Sequence, residues 1–270
     1  MKIIQVSDIH VGRPGELVWG LDPAARFEAC LDDVLAYHRD AAFVAITGDL
    51  AERGEVASYE TLRTLLAKFP LPVHLMIGNH DDREAFQRVF PQAPRDGNGF
   101  VQFQVSARER QFLFLDTYKS PDTSAGAYCA ERCAWLREEL QAAARRDAAV
   151  YLFMHHPPFD IEHRLMDRIG LQEADRFAEA IGDVPIRHIF FGHAHRPISG
   201  QWRGIAFSAI PGTCHQLPLV GQSLPTVYSH EPAMYAVIHL SADRTIVHSD
   251  AFLDRKPASM AADEERGNWY

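Results

Sequence analysis

Five short apolar runs in this chain each stop on residues of metal-ligand type. Lys2–Val6 runs into Ser7-Asp8-Ile9-His10, Ala42–Thr47 into Gly48-Asp49, and Val73–Ile77 into Gly78-Asn79-His80-Asp81. Val150–Met154 runs into His155-His156, and His188–Phe191 into Gly192-His193-Ala194-His195. Each run has the length of one strand, and each delivers Asp, Asn or His just beyond it. Open α/β sheets collect their chemistry past the carboxyl ends of their strands. The five junctions therefore predict a single site assembled along one sheet edge.

Helical stretches alternate with these runs. Asp22–Arg39 carries Phe27, Leu31, Val34 and Leu35 at helical spacing, with Asp22 as N-cap and Pro23 at the first helical position. Ser58–Phe69, Glu131–Arg145 and Glu173–Ile181 show the same periodicity, and the closely spaced runs Gly99–Val105 and Gln111–Asp116 predict an antiparallel pair. No G-x-G-x-x-G follows the first strand, so a dinucleotide-binding unit lacks its phosphate loop. Beyond His195 the pattern turns to strands: Gly200–Ala209, Ala233–Leu240 and Arg244–Asp250, interrupted by the polar, proline-bearing loop Gly221–Pro232. The expected organisation is a catalytic core over 1–199 and a β-rich segment over 200–255. That segment would complete the core and offer a surface for homo-oligomer formation, with a polar tail over 256–270.

Composition excludes several classes. A net charge of −9, with acidic and basic residues interspersed, disfavours binding to a nucleic acid polymer, which rests on a basic footprint. It leaves room for a small anion, because bound cations invert the local field. Four cysteines in 270 residues are too sparse for a disulfide framework. Cys129 and Cys133, one helical turn apart, read as small apolar residues near a helix start rather than as a metal pair. No leader-like segment opens the chain and no run could span a bilayer, so the expectation is a cytoplasmic protein without a membrane partner.

A hydrolytic dinuclear centre needs two cations roughly 3.5–4 Å apart, a bridging carboxylate, imidazole and oxygen ligands, and open positions for water and substrate. Asp49, after a glycine, suits the bridge. Asp8 and His10, and likewise His193 and His195, would share a side in extended chain. Asn79 offers a neutral amide oxygen and His155 a further imidazole. Nitrogen and oxygen donors without thiolate suit iron, manganese, zinc or cobalt.

The ordered series Asp8-Ile9-His10, Gly48-Asp49, Gly78-Asn79-His80-Asp81, His155 and Gly192-His193-Ala194-His195 resembles the calcineurin-like metallophosphoesterase superfamily. The extension to Arg83 and the helix after Tyr128 look most like its cyclic-nucleotide phosphodiesterase and glycerophosphodiesterase branch. The likeness runs from residue 1 to about 215. It implies an α/β fold: a four-layer α/β/β/α sandwich with a C-terminal β-rich extension. It also implies ligands: Asp8, His10 and His195 on one metal, Asn79, His155 and His193 on the other, and Asp49 on both.

The expected reaction is in-line attack of a metal-bound hydroxide on a small soluble phosphodiester, either a cyclic nucleotide such as 3′,5′-cAMP or a glycerophosphodiester. His80 would touch the phosphoryl group or protonate the leaving alkoxide, and Asp81 would orient its imidazole. Asn79 and His80 would line the substrate position. His215 would either join them or pack, and His156 reads as a supporting residue. Arg83 is expected as a solvated arginine at a helix start. Two enzymatic alternatives share the site, a phosphomonoesterase and a nucleotide pyrophosphatase. A metal-free scaffold of the same fold is the non-enzymatic one.

Overall fold

The computed structural model describes residues 1–219 and 227–253. In chain order its elements begin β1 (Lys2–Val6), α1 (Pro23–Tyr37), β2 (Val44–Thr47), α2 (Val56–Leu66), β3 (Val73–Met76) and α3 (Arg83–Val89). They continue with β4 (Phe103–Ala107), β5 (Arg110–Leu115), α4 (Ala130–Arg145), β6 (Ala149–Met154) and α5 (Ala174–Ile181). The last are β7 (Ile186–Phe191), β8 (Ile198–Trp202), β9 (Ile205–Ala209), β10 (Met234–Leu240) and β11 (Thr245–Ala251).

These strands form two sheets, ordered β11-β10-β1-β2-β3 and β4-β5-β6-β7-β9-β8. The period-2 alternation of strands divides the apolar residues among three clusters. Ile3, Phe43, Ala45 and Met76 from the first sheet meet Phe112, Phe114, Phe153 and Phe190 from the second, forming the core between sheets. Its aromatics stack in sequence, with Phe114–Phe153 centroids at 4.9 Å and Phe153–Phe190 at 4.8 Å. Ile4, Val6, Val44 and Ile46 turn outward onto Phe27, Leu31, Tyr59, Leu62 and Phe86 of α1, α2 and α3. Leu113, Leu152 and Ile189 do the same onto Leu136, Leu140 and Phe177 of α4 and α5. The result is the expected α/β/β/α sandwich. Asp22 caps α1 through a 3.0 Å bond from the Ala25 N–H, with Pro23 following it.

The C-terminal strands join the two sheets, β9 and β10 inside them and β8 and β11 at their edges. β10 lies between β11 and β1, and β9 pairs in parallel with β7. A boundary between 199 and 200 would cut β8, and the predicted run Gly200–Ala209 is split by a turn at Arg203-Gly204 with φ of +50° and +79°. The physical reason is that β1 and β7 would otherwise present unpaired backbone edges. Residues 221–226, the first half of the predicted loop Gly221–Pro232, and the whole tail from Lys256 lie outside the described residues. No helix among the described residues is long and apolar enough to cross a membrane.

Candidate metal centre

All five predicted junctions meet at one end of the sandwich, but not through extended backbone. Asp8, His10, Asp49, His193 and His195 have φ of +51°, +47°, +49°, +64° and +49°. The expected alternation along extended chain is therefore corrected: the motifs of Asp8-His10, Asp49 and His193-His195 leave their strands and bend back through the left-handed region, while those of Asn79 and His155 do not. Such non-glycine residues cost about 1–3 kcal/mol each and persist only where surroundings over-determine them. Here cross-strand bonds do so. The Asp8 N–H donates to Gly48 O at 3.2 Å and the His10 N–H to Asp49 O at 2.9 Å. The His193 N–H donates to the Asp8 carboxylate at 3.1 Å.

The imidazoles are oriented from behind. His10 Nδ1 is 2.9 Å from Glu52 Oε2, His155 Nδ1 is 2.8 Å from Thr47 O, and His195 Nδ1 is 2.8 Å from His215 O. A carbonyl or carboxylate can only accept, so Nδ1 carries the proton in each ring and Nε2 presents a lone pair. Those lone pairs converge. His10 Nε2 stands 3.2 Å from His195 Nε2, which is itself 3.3 Å from Asp8 Oδ1. His10 Nε2 is 3.7 Å from Asp49 Oδ2, while His155 Nε2 is 3.3 Å from Asp49 Oδ1 and 3.2 Å from Asn79 Oδ1. Acceptors facing acceptors repel unless something positive lies between them, so this donor set fits metal. Buried His193 Nε2, which has no hydrogen-bond partner, supports the same conclusion. The two Asp49 oxygens face different histidines, as a bridging carboxylate must.

Gly78 explains the closeness of this cradle. A Cβ there would strike Asp49 Oδ1, the Asp49 amide and His155 Nε2. Charge follows geometry. Burial lowers the pKa of His10 and His193, keeping both neutral and ligand-competent. Burial alone would raise Asp49, yet neighbouring imidazoles, His155 foremost, hold it well below the usual carboxylate range. Against its own burial, His155 is held up at about 9 by Asp49. A cation between His155 Nε2 and Asp49 would supply the positive charge that the carboxylate demands and leave Nε2 its lone pair.

The seven predicted ligands thus lie together. His80 sits beside them with 36% of its side chain exposed, its Nδ1 2.9 Å from Glu52 O and its N–H donating to Asp49 Oδ1 at 2.9 Å. It lines a cleft of about 450 Å³ with Asn79, Arg53, Asp82, Asp122 and Ser124. Asp81 does not orient that imidazole, which is a correction. Its carboxylate accepts from the N–H groups of Gly78, Leu50 and Ala51 at 2.8, 3.1 and 3.0 Å and from Tyr59 Oη at 2.9 Å. It clamps the loop bearing Asp49 to the loop bearing Asn79. Burial, then Asp49, raises its pKa to about 7 despite those donors.

Arg83 begins α3 as expected but is not solvated. Its guanidinium forks onto Asp116 at 2.9 and 3.0 Å and lies over the Phe100 and Tyr118 rings. His156 has both ring nitrogens engaged, Nδ1 by the Thr117 hydroxyl at 2.7 Å and Nε2 on Ser124 O at 3.2 Å. His215 is buried against His195 and His10, with ring centroids 4.6 and 4.8 Å away. Sequence reasoning missed Glu52, three positions after Asp49 on the same turn. An acidic side chain so soon after a ligand loop was the available signal.

A double-sheet sandwich with clustered Asp, Asn and His at its strand ends is the arrangement of a metal-dependent phosphoesterase. The chain belongs to the calcineurin-like phosphoesterase family, whose sequence model matches residues 1–197. A probable cyclic nucleotide phosphodiesterase of Rhodopseudomonas palustris is 42% identical over 94% of this chain and 93% of its own length. A glycerophosphodiester phosphodiesterase of Enterobacter lignolyticus is 26% identical over 86% of this chain and 84% of its own. A 3′,5′-cyclic adenosine monophosphate phosphodiesterase of Pseudomonas aeruginosa is 27% identical over 79% and 76%. Among solved structures, a dimetal phosphatase from Danio rerio superposes with a TM-score of 0.72 at 14% identity, covering 94% of this chain and 96% of that one. That last likeness concerns the fold alone.

Proposed function

We propose that this protein is a dinuclear-metal phosphodiesterase acting on small soluble diesters, a cyclic nucleotide or a glycerophosphodiester. The observation that carries the metal part is the division of lone pairs about Asp49, with His10 toward one oxygen and His155 toward the other. Asp8, His10, His195 and Asp49 would hold one cation; Asn79, His155, His193 and Asp49 would hold the second. The named relatives support the diester part.

Bound cations would supply Lewis acidity, neutralising phosphoryl oxygens and lowering the pKa of water. The remaining steps belong to side chains. Glu52 fixes the His10 tautomer, so that Nε2 faces inward. The His80 Nδ1–H is held by Glu52 O, which leaves its Nε2 for the substrate. Against its own burial, Asp49 raises the His80 pKa, which favours the imidazolium; its Nε2–H would then donate to a phosphoryl oxygen or pass its proton to the departing alkoxide. Asp81 keeps the Asn79-His80 turn in register with Asp49, and acts on substrate only through that register.

The test is chelation followed by reconstitution with Mn, Co or Zn, counting metal per chain in the same samples. Two metals per chain and faster hydrolysis of bis-p-nitrophenyl phosphate than of the monoester are expected. A monoester preference would overturn the diesterase reading, and one metal at full activity would overturn the dinuclear one.

A further inference from the structure

Beside the metal cluster the chain raises an exposed tryptophan at visible conformational cost. Val18 and Leu21 exchange both main-chain hydrogen bonds, at 2.9 and 3.0 Å, leaving Trp19-Gly20 as the tip of a two-residue turn. Both tip residues have positive φ, +51° and +80°, the pattern of a type I′ turn that favours Asn-Gly. A bulky aromatic in that first position is an outlier. His230 Nε2 donates to Trp19 O at 3.0 Å and braces the turn from a distant segment.

The indole is 56% exposed, and it meets the Tyr228 ring, itself from an exposed residue, at 4.3 Å with 32° between planes. Tyr228 stands edge-on to His215 at 4.7 Å, and His215 packs on both His10 and His195. One buried ring therefore separates an open aromatic face from two ligand histidines. The cleft on the His80 side has a polar lining, so the two flanks of the site differ in chemistry.

We propose that the Trp19–Tyr228 pair is the platform on which the aromatic base of a nucleotide substrate stacks, selecting base-bearing diesters over base-free ones. The assignment rests on the diesterase reading above and names its substrate class. The two rings already touch, so the base lies across their outer faces rather than between them. Stacking on aromatics tolerates any base, since every base has a π-face, and the larger purine face gains most. Strain kept at an exposed side chain is explained by what that side chain touches.

The experiment compares kcat/KM for 3′,5′-cyclic AMP with that for the corresponding cyclic sugar phosphate lacking the base, using the metal-reconstituted full chain. In Trp19→Asn and Tyr228→Ala the ratio of the two should fall about tenfold, mostly through KM for the nucleotide. Trp19→Phe should recover most of it. Asn suits the left-handed tip, so Trp19→Asn should melt no lower than the parent, which rules out unfolding as the cause. An unchanged ratio in both variants overturns the platform, and so does a change in oligomeric mass without a change in ratio. If no diester is hydrolysed at all, the diesterase reading fails and the platform is still read by binding. Quenching of tryptophan fluorescence by 5′-AMP but not by ribose 5-phosphate, lost in Trp19→Asn, supports it; equal responses to the two ligands sink it.

Discussion

Asp8, His10, Asp49 and His155 are at most 1% exposed, and each of the two imidazoles is tied from behind to a carboxylate or carbonyl. Two ring contacts away, Trp19 and Tyr228 stand open to solvent outside the strands and helices. The floor of the site is determined many times over by strand ends that cross-brace one another. The rim is held by the Trp19-Gly20 turn, the His230 hydrogen bond to it, and the two main-chain bonds that Ser229 exchanges with Gln216. Such a division lets one scaffold keep its chemistry while loops choose the substrate. The curated relatives, named for cyclic nucleotides in some cases and glycerol diesters in others, are consistent with that division.

The comparison breaks most visibly at the floor. Asp49→Ala removes the carboxylate that faces both histidine groups, and Gly78→Ala drives a methyl into it. Outer partners of metal ligands cost about 10–100-fold when lost, so either change should cost more than about a hundredfold in turnover. Metal content should fall in parallel; full metal occupancy in both would sink the bridging assignment. His80→Ala separates chemistry from metal binding: turnover falls about 10²–10⁴-fold while metal content stays at the parent level. Unchanged turnover would remove His80 from the mechanism.

Smaller effects grade the supports. Glu52→Gln keeps a hydrogen-bonding group near His10 Nδ1 but removes the charge, and metal affinity should weaken about tenfold. Titration with a competing chelator measures it, and an affinity equal to the parent would make Glu52 a bystander. Rim substitutions should stand apart from all of these, changing discrimination between substrates and leaving metal affinity where it was. A rim change that released metal would erase the distinction between the regions.

The floor was legible in the sequence to the extent that it is local. Apolar runs ending in Asp, Asn or His mark strand ends, and their order along the chain points to the side chains that the fold brings together. The left-handed turns were not legible, because φ at Asp8 or His10 is held by partners such as Gly48 and Asp49 that lie far along the chain. Asp81 shows the same limit. Adjacency to His80 suggested a pair, but its carboxylate finds Leu50, Ala51 and Tyr59 across the fold. Arg83 could not be read as ion-paired without knowing that Asp116, just after β5, lies opposite it. The rim left no pattern at all: Trp19 and Tyr228 are 209 positions apart and meet only in three dimensions.

The least effect on turnover is expected where the scaffold alone is touched. His188, on β7, is buried, stacks on Phe190 at 4.2 Å and pairs through Nε2 with Ser208 Oγ at 2.9 Å. Burial lowers its pKa from 6.5 to about 4. The unfolded chain then binds the extra proton first, so between those values stability rises with pH. This contribution is whole above pH 6.5, drains as pH falls toward 4, and amounts to roughly 3 kcal/mol over the window. His188→Gln retains a donor for Ser208 and removes the titration. In urea unfolding of the metal-free protein, the variant should therefore lose less stability than the parent between pH 7 and pH about 4.5, while metal-loaded turnover at pH 7 stays unchanged. Equal losses would mean that the acid sensitivity of this fold lies in the site histidines alone, and the floor would then be its weakest part rather than its most braced.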